Sequence, residues 1–349
     1  LWVIAPSFGT LAIGGLTIQP WLWVFVGLIL AQAWKSFGLG ATFAIVKQSV
    51  PPERLARGFS STETFRRSAF LLGPVLAAGL LALHPDFTVS FRYVLAVAVV
   101  VGVVATVVQH VLYDASDDSF GDSLEGLSQL RSDLRSLPST LRPLLIGDTL
   151  VRFANGMVYV FFIIVVTEFL DVGLSLSLPG VGGVDLAPAT FFGLLLGVEM
   201  VVALVVMAPA AALAERVGLK PVVATGFAVY AIFPVLLISA PPDAVVLTAL
   251  FAFSGLRFAG LPAHKALIVG PAKSDAGGRV TGAYYLLRNL IVIPSGALGG
   301  ALYGGLPNPF GAGQLIAGAP TLAFAVATVI GLVGTGYFLV AGEEFTAYQ

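Results

Sequence analysis

Ten apolar runs, each long enough to cross a lipid bilayer as one helix, constrain this chain more than any other feature of its sequence. One membrane-spanning helix needs about 20 apolar residues, and charged or Gly/Pro-rich segments separate the runs. The runs cover about 1–17, 21–46, 66–83, 92–112, 142–167, 188–211, 221–240, 243–270, 281–304 and 318–340. They lack the alternation of polar and apolar residues that is typical of membrane β-strands. We therefore predict an all-α polytopic membrane protein.

The composition excludes several classes of protein. Of 349 residues, 57% are hydrophobic and 11% are charged, whereas soluble domains have about 25% charged residues. The net charge of -1 gives no sign of nucleic-acid binding. With no cysteine and three histidines, we expect no metal site and no cofactor. No Gly-x-Ser-x-Gly or phosphate-loop motif is present, so we expect no enzyme.

Lysine and arginine are distributed unequally between alternate loops. Ten lie in the loops 47–58, 113–142, 212–220 and 271–280, whereas the opposite loops hold only Arg92. Cytoplasmic loops carry the excess of basic residues. We therefore predict a multi-pass protein of the cell (plasma) membrane whose first residue and C-terminal tail are both cytoplasmic.

The chain contains an internal repeat. A shift of 222 residues aligns 31–85 with 253–307 without a gap. The basic residues that coincide are Lys35 with Arg257, Arg57 with Arg279, and Arg66 with Arg288. Basic residues are costly at bilayer depth, so their coincidence in one register is more informative than apolar matches. Both copies cross the membrane in the same direction, which is the parallel repeat of several transporters.

The segment from Ala211 to Lys220 resembles the signature loop of the major facilitator superfamily. Glu215, Arg216, Gly218 and Lys220 match its acidic, basic, glycine and final basic positions, whereas Ala211 and Leu219 depart from it. Two other segments are similar to patterns of this family. They are Lys35-Ser-Phe-Gly-Leu-Gly-Ala, similar to helix four, and Gly73-Pro-Val-Leu-Ala-Ala-Gly79, similar to the antiporter pattern of helix five.

The resemblance implies two parallel six-helix halves and secondary transport by alternating access. The repeat partner of 211–220 would precede Leu1, so we expect an N-terminally incomplete fragment with ten of twelve helices. Residues 1–113 are then the N-terminal half (helices three to six), and 142–349 are the C-terminal half (helices seven to twelve). Residues 114–141 form a cytoplasmic central loop, in which leucines from 124 to 137 predict an amphipathic helix.

Ionisable residues inside the spans are candidates for function. The candidates for binding the substrate or a proton are Lys35, Asp148, Arg152, Asn155, Glu199 and Arg257. Asp148 and Arg152 are four residues apart, so they share one helical face and can pair. Two interpretations stay open at this point. In one, these groups bind an anionic substrate and a coupling proton; in the other, they neutralise one another and hold the halves together.

A second set of residues is expected to act in gating. It consists of Glu215, Arg216, Gly218, Lys220, Arg57, Arg66, Arg279 and Arg288. We place Arg66, Arg67 and Arg288 at the starts of their helices, near the cytoplasmic interface. The alternative for the signature loop is a short basic turn that follows the charge rule for cytoplasmic loops.

The sequence thus predicts a secondary active transporter of a small-molecule substrate, with a proton as the coupling ion. Efflux of drugs or other amphipathic compounds is one hypothesis, and transport of a small organic anion is the alternative. A different class also remains, namely a non-transporting membrane receptor or an inactive truncated remnant. Nucleic acid is not an expected partner; the lipid bilayer is.

Overall fold

A computed structural model describes residues 11–13, 16–18, 22–81, 83–114, 137–178, 182–272, 277–308, 313–345 and 347. These ranges form nine long helices and three short antiparallel hairpins. The helices are α1 (Leu22–Ser49), α2 (Leu55–Leu81), α3 (Phe87–Leu112), α4 (Leu141–Phe169), α5 (Pro188–Val217), α6 (Leu219–Ile238), α7 (Ala244–Val269), α8 (Gly277–Gly304) and α9 (Pro320–Ala341). The hairpin strands are β1 (Leu11–Ile13) with β2 (Leu16–Ile18), β3 (Leu174–Leu178) with β4 (Gly182–Leu186), and β5 (Leu306–Pro307) with β6 (Gln314–Ile316).

The helices α3 to α9 are the seven that are long and apolar enough to cross a membrane within the described residues. They correspond to the last seven of the predicted runs, with ends that differ by a few residues. The chain is therefore an all-α, multi-pass integral membrane protein. The second half of α3 illustrates this character, since its valines from Val99 to Val111 are exposed and need lipid or other apolar groups around them.

Two predicted segments form hairpins instead. Residues 11–13 and 16–18 belong to the expected first span, but Leu11 pairs with Ile18 in an antiparallel ladder; the rest of that run lies outside the described residues. In the loop 171–187, which the sequence predicts as a flexible crossing, Leu174 pairs with Leu186. The expected amphipathic helix also lies outside the described ranges, apart from buried Leu137.

The start of α2 differs most from the prediction. The apolar run begins at 66, but the helix begins at Leu55. Leu55, Phe59 and Glu63 recur every four residues and are buried, whereas the other face of this segment is polar, so average hydropathy hides the helix. Arg66 consequently lies in the middle of α2 and Arg288 well inside α8. Their expected place at helix starts is wrong.

The helix α7 is interrupted near its middle. A 3-10 turn at Leu256–Phe258 separates its two α-helical parts, and Pro262 follows. Proline has no N–H to bond the carbonyl four residues earlier and clashes with it, which favours a break at this point. The break positions Arg257 against α5 and α6.

Candidate functional site

A buried carboxylate, Asp148 on α4, is the centre of one group of charges. Arg152 on the same helix lies 3.2 Å from one carboxylate oxygen, as the spacing of four predicts. The other oxygen lies 3.2 Å from both His264 on α7 and Arg288 on α8. It also accepts a hydrogen bond of 3.2 Å from the Tyr284 hydroxyl. One fully buried carboxylate therefore joins three helices.

A second group joins α5 to the break in α7. Glu199, which is buried on α5, lies 2.9 Å from the guanidinium of Arg257. The Ser254 hydroxyl donates a short hydrogen bond to the same oxygen. Both charged side chains are almost completely inaccessible. Burying an ion pair costs desolvation of each charge, so close geometry is needed to offset that cost.

A third group connects α2 with α7. Glu63 and Lys265 form an ion pair of 2.6 Å, and both are buried. Arg66 and Arg67, one turn later on α2, lie 3.3 Å and 3.6 Å from the Glu63 carboxylate. Sequence analysis missed Glu63 because it precedes the predicted span. Its spacing of three and four from the two arginines is the signal that could have found it.

Aromatic rings bring arginines of these groups together. Arg152 donates a 3.0 Å hydrogen bond to the Tyr230 hydroxyl. Arg152 and Arg257 lie 4.7 Å and 4.9 Å from the Tyr230 ring centre. Arg257 and Arg67 lie 4.8 Å and 4.0 Å from that of Phe258. Such distances are typical of cation–π contacts. Tyr230 was not predicted, because a tyrosine in an apolar run carries no charge signal.

The residues that resemble the signature loop lie where α5 ends and α6 begins, with Gly218 alone between the two helices. Glu215 pairs with Arg57 of α2 at 2.6 Å, so two of the expected gating residues meet. Gly218 has a φ of 93°, a backbone conformation that favours glycine. The Lys220 N–H donates a 2.8 Å hydrogen bond to Glu344 of the C-terminal tail.

The remaining predicted residues do not join a single site. Arg216 is exposed on the last turn of α5. Asn155 is half-buried on α4, one turn after Arg152, and Arg279 is half-buried in the first turn of α8. Lys35 is in α1, but its side chain lies outside the described residues.

The space between these charges is small. Arg152, Tyr230, Arg257 and His264 line a cavity of about 10 Å³, and one water molecule needs at least that much room. Among the described residues, the arrangement therefore holds several opposite charges in direct contact around a small cavity. No protein-family model matches the chain, and no curated protein matches it in sequence.

Proposed function

We propose that the protein is a secondary active transporter of the major facilitator type, which moves a small solute across the cell membrane by alternating access with a proton as the coupling ion. The observation that carries this proposal is the buried set of charges within helices of spanning length. Charges at such places are costly, and in membrane proteins they mark ion and substrate pathways.

The contacts between α1 and α7 support the two-half organisation of the proposal. The Lys47 ammonium donates a 2.8 Å hydrogen bond to the carbonyl of Val269, a residue 222 positions later. Lys265, which is related to Phe43 by the same shift, lies 5.1 Å from that ring. In a two-fold arrangement, equivalent residues touch only where the axis passes between the copies. The shift is the one that aligns the repeat.

Ion pairs between 1–113 and 142–349, which lie beside an apolar cluster shared by both parts, support alternating access. Glu63 with Lys265 and Arg57 with Glu215 each join the two parts by one ion pair. Arg67 lies over Phe258 in the same interface. Ion pairs and single ring contacts can separate and form again during rocking, because each pair is replaced by water or by a solute.

The orientation follows from the loop charges. The tail residue Glu344 contacts the backbone of Lys220, which supports a common side for the tail and the loop 212–220. With the basic loops in the cytoplasm, the C-terminus is cytoplasmic.

Proteoliposomes that enclose a pH-sensitive dye test the proposal. The full chain is challenged with sodium succinate, sodium benzoate or ethidium bromide under an imposed pH gradient. We expect one of these compounds to change the internal pH faster than in protein-free liposomes. Counterflow of the labelled compound then separates transport from binding by a receptor. Equal pH traces with and without protein for every compound would contradict proton-coupled transport of these classes.

A further inference from the structure

We infer that Arg67, Arg152 and Arg257, gathered around Tyr230 and Phe258, form a binding site for an oxyanion, so that the solute carries a carboxylate or phosphate group. That the bound oxyanion is the transported solute rests on the proposed function, whereas the binding site rests on the contacts alone. It gives Arg67 a role in binding, whereas the sequence places it at a membrane interface.

Positive and negative side chains are unequal in number in this region. Among the described residues of the three groups, the carboxylates are Asp148, Glu63 and Glu199, each at most 3% exposed. The lysine and arginine side chains in contact with them that are less than a quarter exposed are Arg67, Arg152, Arg257, Lys265 and Arg288. Five cations therefore face three anions. Because unpaired buried charge is costly, an anion that enters this region is favoured.

Two of the three arginines have a hydrogen-bond donor without an acceptor in the described part of the chain. The Nε–H groups of Arg67 and Arg257 are buried and donate to no acceptor among the described residues. The carboxylate oxygen nearest to the Arg67 Nε, on Glu63, lies 3.6 Å away, beyond hydrogen-bond distance. Buried guanidinium N–H groups normally have acceptors. The donors that lack them belong to two of the three arginines of the proposed site.

The rings hold the guanidinium groups in a useful geometry. Arg67 and Arg257 share Phe258, and Arg152 and Arg257 share Tyr230. A guanidinium that stacks on a ring uses its face and leaves its N–H edge for hydrogen bonds. That edge matches the two oxygens of a carboxylate or phosphate better than a lysine ammonium does.

The cavity beside Arg152 and Arg257 is small. At about 10 Å³ it has no room for a carboxylate beside Arg257 while Glu199 occupies that arginine at 2.9 Å. The oxyanion and Glu199 therefore compete for Arg257. Removing the charge of Glu199 frees the arginine, whereas removing the charge of Arg257 removes the binding group. The two changes act on one ion pair but shift oxyanion affinity in opposite directions.

The test is thermal unfolding of the purified full chain in detergent, with succinate or inorganic phosphate titrated against chloride at equal ionic strength. A ligand that binds the folded state raises the Tm with its concentration. We expect one oxyanion to do so in the wild type. Arg257→Gln and Arg67→Gln should each raise the Kd of that oxyanion by about tenfold or more, and Glu199→Gln should lower this Kd. Arg54→Gln, which removes an exposed arginine outside the groups, is the matched control.

Each outcome bears on one proposal. No Tm rise with either oxyanion, or equal Kd values in Arg257→Gln and Arg54→Gln, would overturn the site. A loss of affinity in Glu199→Gln as large as in Arg257→Gln would also overturn it, because a purely structural ion pair predicts the same sign for both. If the oxyanion binds with the expected pattern but none of the compounds crosses proteoliposomes, the site stands and the transport proposal fails. If ethidium is transported and neither oxyanion raises the Tm, transport stands and the site fails.

Discussion

Asp148 has three ionisable partners, as many as Glu63 has. Its carboxylate contacts Arg152, His264 and Arg288, and it is completely buried. These partners come from three helices, so the carboxylate determines how the helices can pack. We therefore expect Asp148 to stabilise the fold, whether or not it also binds the coupling proton.

Asp148→Asn should lower the free energy of unfolding by about 3–5 kcal/mol, because it leaves Arg152 and Arg288 buried without their counter-charge. Titration of the purified protein with dodecyl sulfate in mixed micelles measures this change. Asp185→Asn on the exposed side of β4 is the control and should stay within about 0.5 kcal/mol of the wild type. A loss for Asp148→Asn as small as that of the control would show that other groups neutralise the arginines.

Charged residues within apolar runs were the part of the site that the sequence could predict. Asp148, Arg152, Glu199 and Arg257 stand out because a charge interrupts an apolar pattern, and the structure places each in an ion pair. The pairing across helices was not predictable, since it depends on helix positions that no spacing encodes. Tyr230 was not predicted for a different reason, because its contacts depend on which arginines reach its ring in the folded protein.

At the scale of elements, the crossing of α6 and α7 positions Arg257. A Cβ atom on Gly260 would lie 2.9 Å from the Val222 carbonyl oxygen, and one on Gly226 would lie 3.1 Å from that of Arg257. These glycines therefore let two helix backbones approach closely, as small residues do at membrane helix interfaces. The crossing occurs beside the 3-10 turn that contains Arg257.

Gly260→Ala should destabilise the protein by about 1–3 kcal/mol, because its methyl group meets backbone atoms that cannot move aside. Gly282→Ala on α8 is the matched control, since nothing lies within 4 Å of its added Cβ; a small gain is expected there from reduced freedom of the unfolded chain. Thermal unfolding in detergent compares the two variants. Equal shifts of Tm would contradict the close crossing.

Element boundaries show what hydropathy alone misses. The alternation Leu-Ser-Leu-Ser-Leu at 174–178 is a strand pattern, and the hairpin β3–β4 forms there; composition in Gly and Ser concealed it. The first half of α2 was not predicted as part of a helix, because its buried face carries Glu63 beside Leu55 and Phe59. Long apolar helices such as α6 and α9 were predicted well, because length and composition determine them.

At the scale of the whole molecule, polar contacts join residues 1–113 to residues 142–349. The pair of Arg57 and Glu215 is the most accessible of them, since the arginine side chain is 56% exposed. Such a surface pair contributes at most about 1 kcal/mol, so it opens readily. In the proposed mechanism this ion pair forms and breaks in each transport cycle. A covalent link between the two positions should therefore hold the two parts of the molecule together.

The lock can be tested because the chain has no cysteine. In the variant Arg57→Cys with Glu215→Cys, a short bifunctional thiosulfonate should join the two positions within one chain. We expect this bridge to stop solute movement in proteoliposomes, because the two parts can no longer separate, and we expect a reducing agent to restore it. The two single variants, treated with the same reagent, control for modification alone. Transport that continues at full rate in the bridged protein would mean that these parts do not move apart during the cycle.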